Sequence, residues 1–122
     1  MKHLNQLTKP QFLNRIYNYE LNPNKFVYVG TAPSMIVFSS PENRFCIELE
    51  PALEIIAKKN KKHYPVYYIN TTEEPELGRF FTSGHVPVIY LCPVSGEPTV
   101  IKETINIRDI VRTANRLFGN SL

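Results

Sequence analysis

Two kinds of apolar patterning alternate along the chain. Met35-Ile36-Val37-Phe38, Val66-Tyr67-Tyr68-Ile69 and Val86 to Cys92 are continuous apolar or aromatic runs. Such runs read as strands buried on both faces. The segments around them carry apolar residues at helical spacing. Phe12, Leu13, Ile16 and Tyr17 form one stripe, and Cys46, Leu49, Leu53, Ile56 and Ala57 a second. Leu77, Phe80 and Phe81 form a third, expected to face inward, and Ile107, Ile110, Val111, Ala114, Leu117 and Phe118 a fourth. Each predicts a helix with one face against a core.

Local signals set the boundaries. Thr8 before Lys9 and Pro10 predicts a helix start, with proline in the first turn, and Asn22-Pro23-Asn24 its end. Pro51 lies within the second helix, where it removes a backbone donor and predicts a kink. Thr71 or Thr72 is expected to cap a helix from about Glu73 to Phe81, closed by Thr82-Ser83-Gly84. Ser95-Gly96-Glu97 reads as a hairpin turn into Thr99-Val100-Ile101. Asn106 with Asp109 three residues on resembles a capping box, and Gly119 is a stop. His3 to Leu7 and Phe26 to Val29 read as short outer strands. The resulting order, (β)α(β)βαβαββα, is that of an α/β protein with a mixed sheet of four to five strands. Strands joined through helices are expected to pair in parallel, with the final hairpin adding an antiparallel edge.

Composition narrows the class. With 122 residues, 43% hydrophobic and 20% charged, the chain suits one globular domain over residues 1–122. Net charge is +3, and only Lys58, Lys59, Lys61 and Lys62 are dense. They fall at a helix end, where cations complement the dipole; the cluster reads as a solvated helix end, and no nucleic-acid partner is expected. Two cysteines, Cys46 and Cys92, are too few for a disulfide scaffold or a cysteine-only metal site. No cofactor or metal is expected. Met1 to Pro10 lacks the apolar core of a signal peptide. No apolar run approaches the roughly 20 residues that span a bilayer. A cytoplasmic protein without membrane association is the expectation.

The stretch Phe38-Ser39-Ser40-Pro41-Glu42-Asn43-Arg44-Phe45-Cys46 places a cysteine in the first turn of a helix that follows a buried strand. The strand, the proline-containing helix and the Val86-Pro87 step together resemble the thioredoxin family, most strongly over residues 34–118. In that family a strand ending in Phe precedes a Trp-Cys-Gly-Pro-Cys site, and a helix proline follows that Phe by thirteen residues, the separation of Phe38 and Pro51 here. The resemblance implies a three-layer sandwich with helices on both sheet faces and a cis proline at Pro87. It implies that Glu42 stands at the Trp, Asn43 at the nucleophilic cysteine, Arg44 and Phe45 at the Gly-Pro pair, and Cys46 at the resolving cysteine. The family's buried Asp is matched by Val37 and its Lys partner by Tyr68. Its Gly opposite the active site is matched by Glu103 or Thr104.

Thiol–disulfide exchange begins with a thiolate attacking a disulfide, and Asn43 supplies none. A dithiol reductase is therefore not the expected activity. Cys46 retains two readings: a small buried hydrophobe, or a lone thiol favoured by the helix dipole and Arg44, working as a monothiol oxidoreductase. Cys92, at the far end of its strand, reads as structural. His85 reads either as a base beside Cys46 or as an exposed loop histidine; His3 and His63 read as surface residues. The resemblance also implies a peptide groove at Val86-Pro87, lined by Arg44, Phe45 and His85, which would bind a protein or an extended peptide by strand addition. The leading expectation is a binding or accessory module; a purely structural subunit is a third reading.

Overall fold

The computed structural model describes residues 1–102 and 105–119. Glu103 and Thr104, matched above to the family's glycine, lie outside them. The elements are β1 (Asn5–Gln6), α1 (Lys9–Arg15), β2 (Ser34–Ser39), α2 (Arg44–Asn60), β3 (Val66–Asn70), α3 (Pro75–Thr82), β4 (Val88–Cys92), β5 (Thr99–Ile101) and α4 (Ile107–Phe118). The five strands lie in the order β1-β3-β2-β4-β5.

β2 is the axis of the molecule, with all six residues buried. Successive side chains of a strand point to opposite faces, and the two faces of β2 feed separate cores. Met35 and Val37 pack with Leu53, Ile56 and Ala57 of α2 and with Ile110 and Ala114 of α4. Ile36 and Phe38 pack with Phe12 of α1 and with Leu77 and Phe81 of α3. The helices thus cover both faces, giving three layers.

Parallel pairing holds for β1 with β3 and for β2 with β3. It fails for β4. Although reached through α3, β4 runs antiparallel to β2, with Phe38 opposite Val88 and Ser34 opposite Cys92. The chain turns through Ser83 (φ 54°) and Gly84 (φ 84°), and re-enters the sheet at the end where β2 leaves it. This reversal brings Val86-Pro87 beside the start of α2. The hairpin to β5 is antiparallel, as expected.

Other expectations are corrected locally. Thr8 and Gln11 form a full capping box, but α1 stops at Arg15. Val29 N–H bonds the Ile16 carbonyl at 2.8 Å, and Phe26 to Val29 form no strand. The cap of α3 is Glu74, with Pro75 in the first turn. Thr71 instead bonds the Ser39 carbonyl and Thr72 the Glu42 carboxylate. Phe80 is 49% exposed, stacked on Tyr19. Asn106 caps α4 with its side-chain oxygen, and Gly119 ends it in the left-handed conformation. No helix among the described residues is long and apolar enough to cross a membrane.

The N-terminus is tied down by one side chain. The Glu54 carboxylate accepts backbone N–H bonds from Lys2, His3 and Leu4 at 2.6–3.2 Å. Partial burial opposes its ionisation, but these three donors outweigh it and hold the carboxyl below its ordinary value. A depressed folded pKa gives stability that is present above the unfolded value of about 4.3 and lost as pH falls through the folded one. Glu54→Gln is expected to loosen β1 without unfolding the sheet, with faster hydrogen exchange at the amides of Lys2, His3 and Leu4. Unchanged exchange there would show that the carboxylate does not anchor the segment.

Candidate functional site

The site forms where the C-terminal end of β2, the N-terminus of α2 and the Val86-Pro87 step meet. Ser40 and Pro41 leave the sheet, and Asn43 takes the N-cap of α2 in an extended conformation. Its Oδ1 accepts from the Cys46 backbone N–H at 3.1 Å, which satisfies one of the unpaired donors of the first turn. Its Nδ2 donates to the Val86 carbonyl at 3.4 Å. One amide side chain thus joins the helix start to the loop before β4. The Val86–Pro87 peptide bond is cis.

Cys46, in the first turn of α2, is 3% exposed, and its thiol is free. Cys92 is equally buried and sits at the opposite end of β4, opposite Ser34. Burial pushes the Cys92 thiol up to about 12, which keeps it protonated and inert. Glu42 is exposed, and its carboxylate accepts from Ser40 and Thr72 hydroxyls at 2.6 Å each. These bonds hold its carboxyl below the ordinary value. Val37 and Tyr68 stand side by side in the β2–β3 register, both buried. Burial raises the Tyr68 phenol. Neither of these two positions supplies a carboxylate or an ammonium group.

Beside Pro87 lies an open concavity of about 470 Å³, lined by Phe45, Glu48, Leu49, Val86, Pro87, Lys102 and Ile105. Phe45 is 70% exposed on its wall. Three residues singled out from the sequence, Phe45, Val86 and Pro87, come together here. Arg44 does not line it. At the first helical position its side chain runs along the outside of α2 to Glu48 one turn on, at 3.3 Å, and is 88% exposed. His85 is also outside the concavity; it is exposed, and its backbone N–H bonds the Thr82 carbonyl. Leu49 was discoverable from the sequence, since it follows Phe45 by one helical turn. Lys102 and Ile105 were not, because they come from the β5–α4 connection, which has no periodic signal. No group of three or more His, Cys, Asp or Glu among the described residues is placed to hold a metal.

No family profile matches the sequence. No curated protein matches it either. Solved structures do: 230 chains match. One of them, a chloroplastic thioredoxin z described as defining a type-specific target recognition, superposes with a TM-score of 0.73 over 98% of this chain and 98% of its own, at 13% identity. Identity that low carries the architecture and no activity. With its mixed five-stranded sheet and two helical layers, the chain has a thioredoxin-like fold.

Proposed function

We propose that this thioredoxin-fold protein is a binding or accessory module that takes an extended peptide in the groove at Val86-Pro87 and performs no dithiol–disulfide exchange. The observation that carries the reading is Asn43. It fills the N-cap position where the resemblance requires a nucleophilic thiolate, and its amide is committed to Cys46 N–H and the Val86 carbonyl. Apolar walls at Phe45, Leu49, Pro87 and Ile105 then favour a partner side chain that is apolar, while Glu48 and Lys102 supply polar contacts at the rim. The alternative, a monothiol oxidoreductase using Cys46 in redox homeostasis, is less favoured because Cys46 is almost wholly buried.

An insulin-reduction assay with dithiothreitol tests this. Turnover is expected to equal that of dithiothreitol alone; turnover above it that vanishes in Cys46→Ala would overturn the proposal. Alkylated insulin B chain is the extended-peptide probe. Its binding is expected to shift the amide resonances of Phe45, Val86 and Ile105. Phe45→Ala is expected to weaken binding about tenfold, equivalent to ~1.4 kcal/mol, with unchanged thermal stability. Saturable binding that ignores Phe45 would place the peptide elsewhere.

A further inference from the structure

A second groove runs between α2 and α4, on the same face as Met35 and Val37 but displaced toward the C-terminal end of α2. Its volume is about 770 Å³, and Ala52, Ile55, Ile56, Ile107 and Val111 give it an apolar floor. On α2, Ala52, Ile55, Ile56 and Lys59 follow the spacing of one helical face. On α4, Ile107, Val111 and Asn115 do the same. Eight residues of rise on each helix make the groove roughly 12 Å long, enough for two or more turns of a third helix. Ile55 is 58% exposed and joins Ala52, Ile56, Ile107 and Val111 in one apolar patch.

Lys59 and His63 line this groove, and the exposed residues next to it in the chain are mostly basic. Lys58, Lys59, Lys61 and Lys62 stand at the end of α2, joined by His63, and all are exposed. Arg108 and Arg112 flank the α4 side, also exposed. Asp109 is the acid on that side, 3.8 Å from Arg112. Between Ala52 and His63 and between Ile107 and Asn115, six of the fourteen Lys and Arg residues stand against two acids, Asp109 and Glu54, and the Glu54 carboxylate is bonded to the N-terminal backbone. The remaining eight face nine acids, so the rest of the chain is slightly net negative. The net charge of +3 is a local property of this face. Cations complement the dipole in the last turn of a helix; that accounts for lysines at the end of α2 but not for Arg108, which stands in the first turn of α4.

We infer that the α2–α4 groove docks an acidic amphipathic helix of a partner protein. Leucine-type side chains at i, i+3, i+4 and i+7 would fill the floor between Ile55 and Val111. Glutamates on both flanks would meet the lysines of α2 and the arginines of α4. Helix-in-groove recognition combines these two features. A nucleic-acid backbone would use the cations but leave the apolar floor empty, and a flat anionic membrane does not fit a concave surface. This site is independent of the Val86-Pro87 groove, and either can fail without the other.

The test is a fluorescence-anisotropy titration with a synthetic helical peptide of about four turns, leucine on one face and glutamate on both flanks. Two controls share its composition or length, one with the leucines scrambled and one with lysine flanks. Saturable binding of the acidic peptide is expected, at least tenfold tighter than either control and weakening as salt rises. Ile55→Asp and the pair Lys59→Glu with Arg112→Glu are each expected to weaken it at least tenfold, with unchanged circular dichroism. Amide shifts should centre on Ile55, Ile107 and Val111. Equal binding of a control peptide would overturn the inference, as would no binding or shifts centred on Phe45 and Val86. Tighter binding of a DNA duplex or of anionic vesicles would also overturn it. So would self-association of the protein that Ile55→Asp abolishes, since a second copy would then be the occupant.

Discussion

Asn43→Cys is expected to give the chain a dithiol–disulfide reductase activity that the parent lacks. The Asn43 side chain already reaches the backbone N–H of Cys46. A cysteine at the same N-cap therefore projects its sulfur beside the first turn of α2, where helix amides favour a thiolate. The new thiolate would attack an insulin disulfide, forming a mixed disulfide and releasing one insulin thiolate. Cys46, nearly closed to solvent, would then attack the sulfur of residue 43. That step releases the second insulin thiol and leaves a 43–46 disulfide, which dithiothreitol reduces. The expected readout is insulin reduction at least tenfold above dithiothreitol alone, abolished when Cys46→Ala is added. Loss of the asparagine cap is expected to cost about 1 kcal/mol, visible as a lower urea midpoint. An Asn43→Cys protein without enhanced turnover would show that the residue at the helix start is not what withholds the activity.

The sequence exposed these elements unequally, and the reasons are physical. β2 was legible because a strand buried on both faces must be apolar throughout, and Ser34 to Ser39 is nearly so. The cap of α4 was legible because Asn106 serves its own helix, within three residues. The end of α1 was not: Ile16 and Tyr17 continue the apolar stripe, yet the Ile16 carbonyl is taken by Val29, thirteen residues on. The direction of β4 was not legible either, because a run of apolar residues carries no sign of which way it threads. That direction places Val86-Pro87 next to Asn43, so the site depends on it. The groove shows the same division. Phe45 and Leu49 share a helix face and can be paired by counting, whereas Ile105 joins them through tertiary packing. Arg44 turns along the outside of the helix, because the first turn offers it a partner one turn on, Glu48, at no cost in burial.

Val37→Asp is expected to be the most destabilising single change near the site. The resemblance places the family's buried aspartate at this position, but Val37 lies in an apolar cluster. Val37 is fully buried, flanked in the sheet by Tyr68 and Ile89, and shares its cluster with Leu53, Ile56 and Ala57. An unpaired buried carboxylate costs about 3–5 kcal/mol, a large part of the roughly 5–15 kcal/mol that holds a typical domain folded. Desolvation would raise the folded pKa of the new carboxyl above its unfolded value of about 3.9. Between those two pKa values the folded state holds more protons than the unfolded one, so stability falls as pH rises. Urea midpoints should therefore lie closest to the parent near pH 4 and drop toward pH 7. Val37→Asn, of similar size and uncharged, should show a smaller loss that follows the parent's pH profile. Identical pH profiles for the two variants would mean that the carboxylate reaches water. In that case the apolar plug of Val37 and Tyr68 would not be a sealed replacement for a proton-transfer pair, and the case against redox chemistry would rest on Asn43 alone.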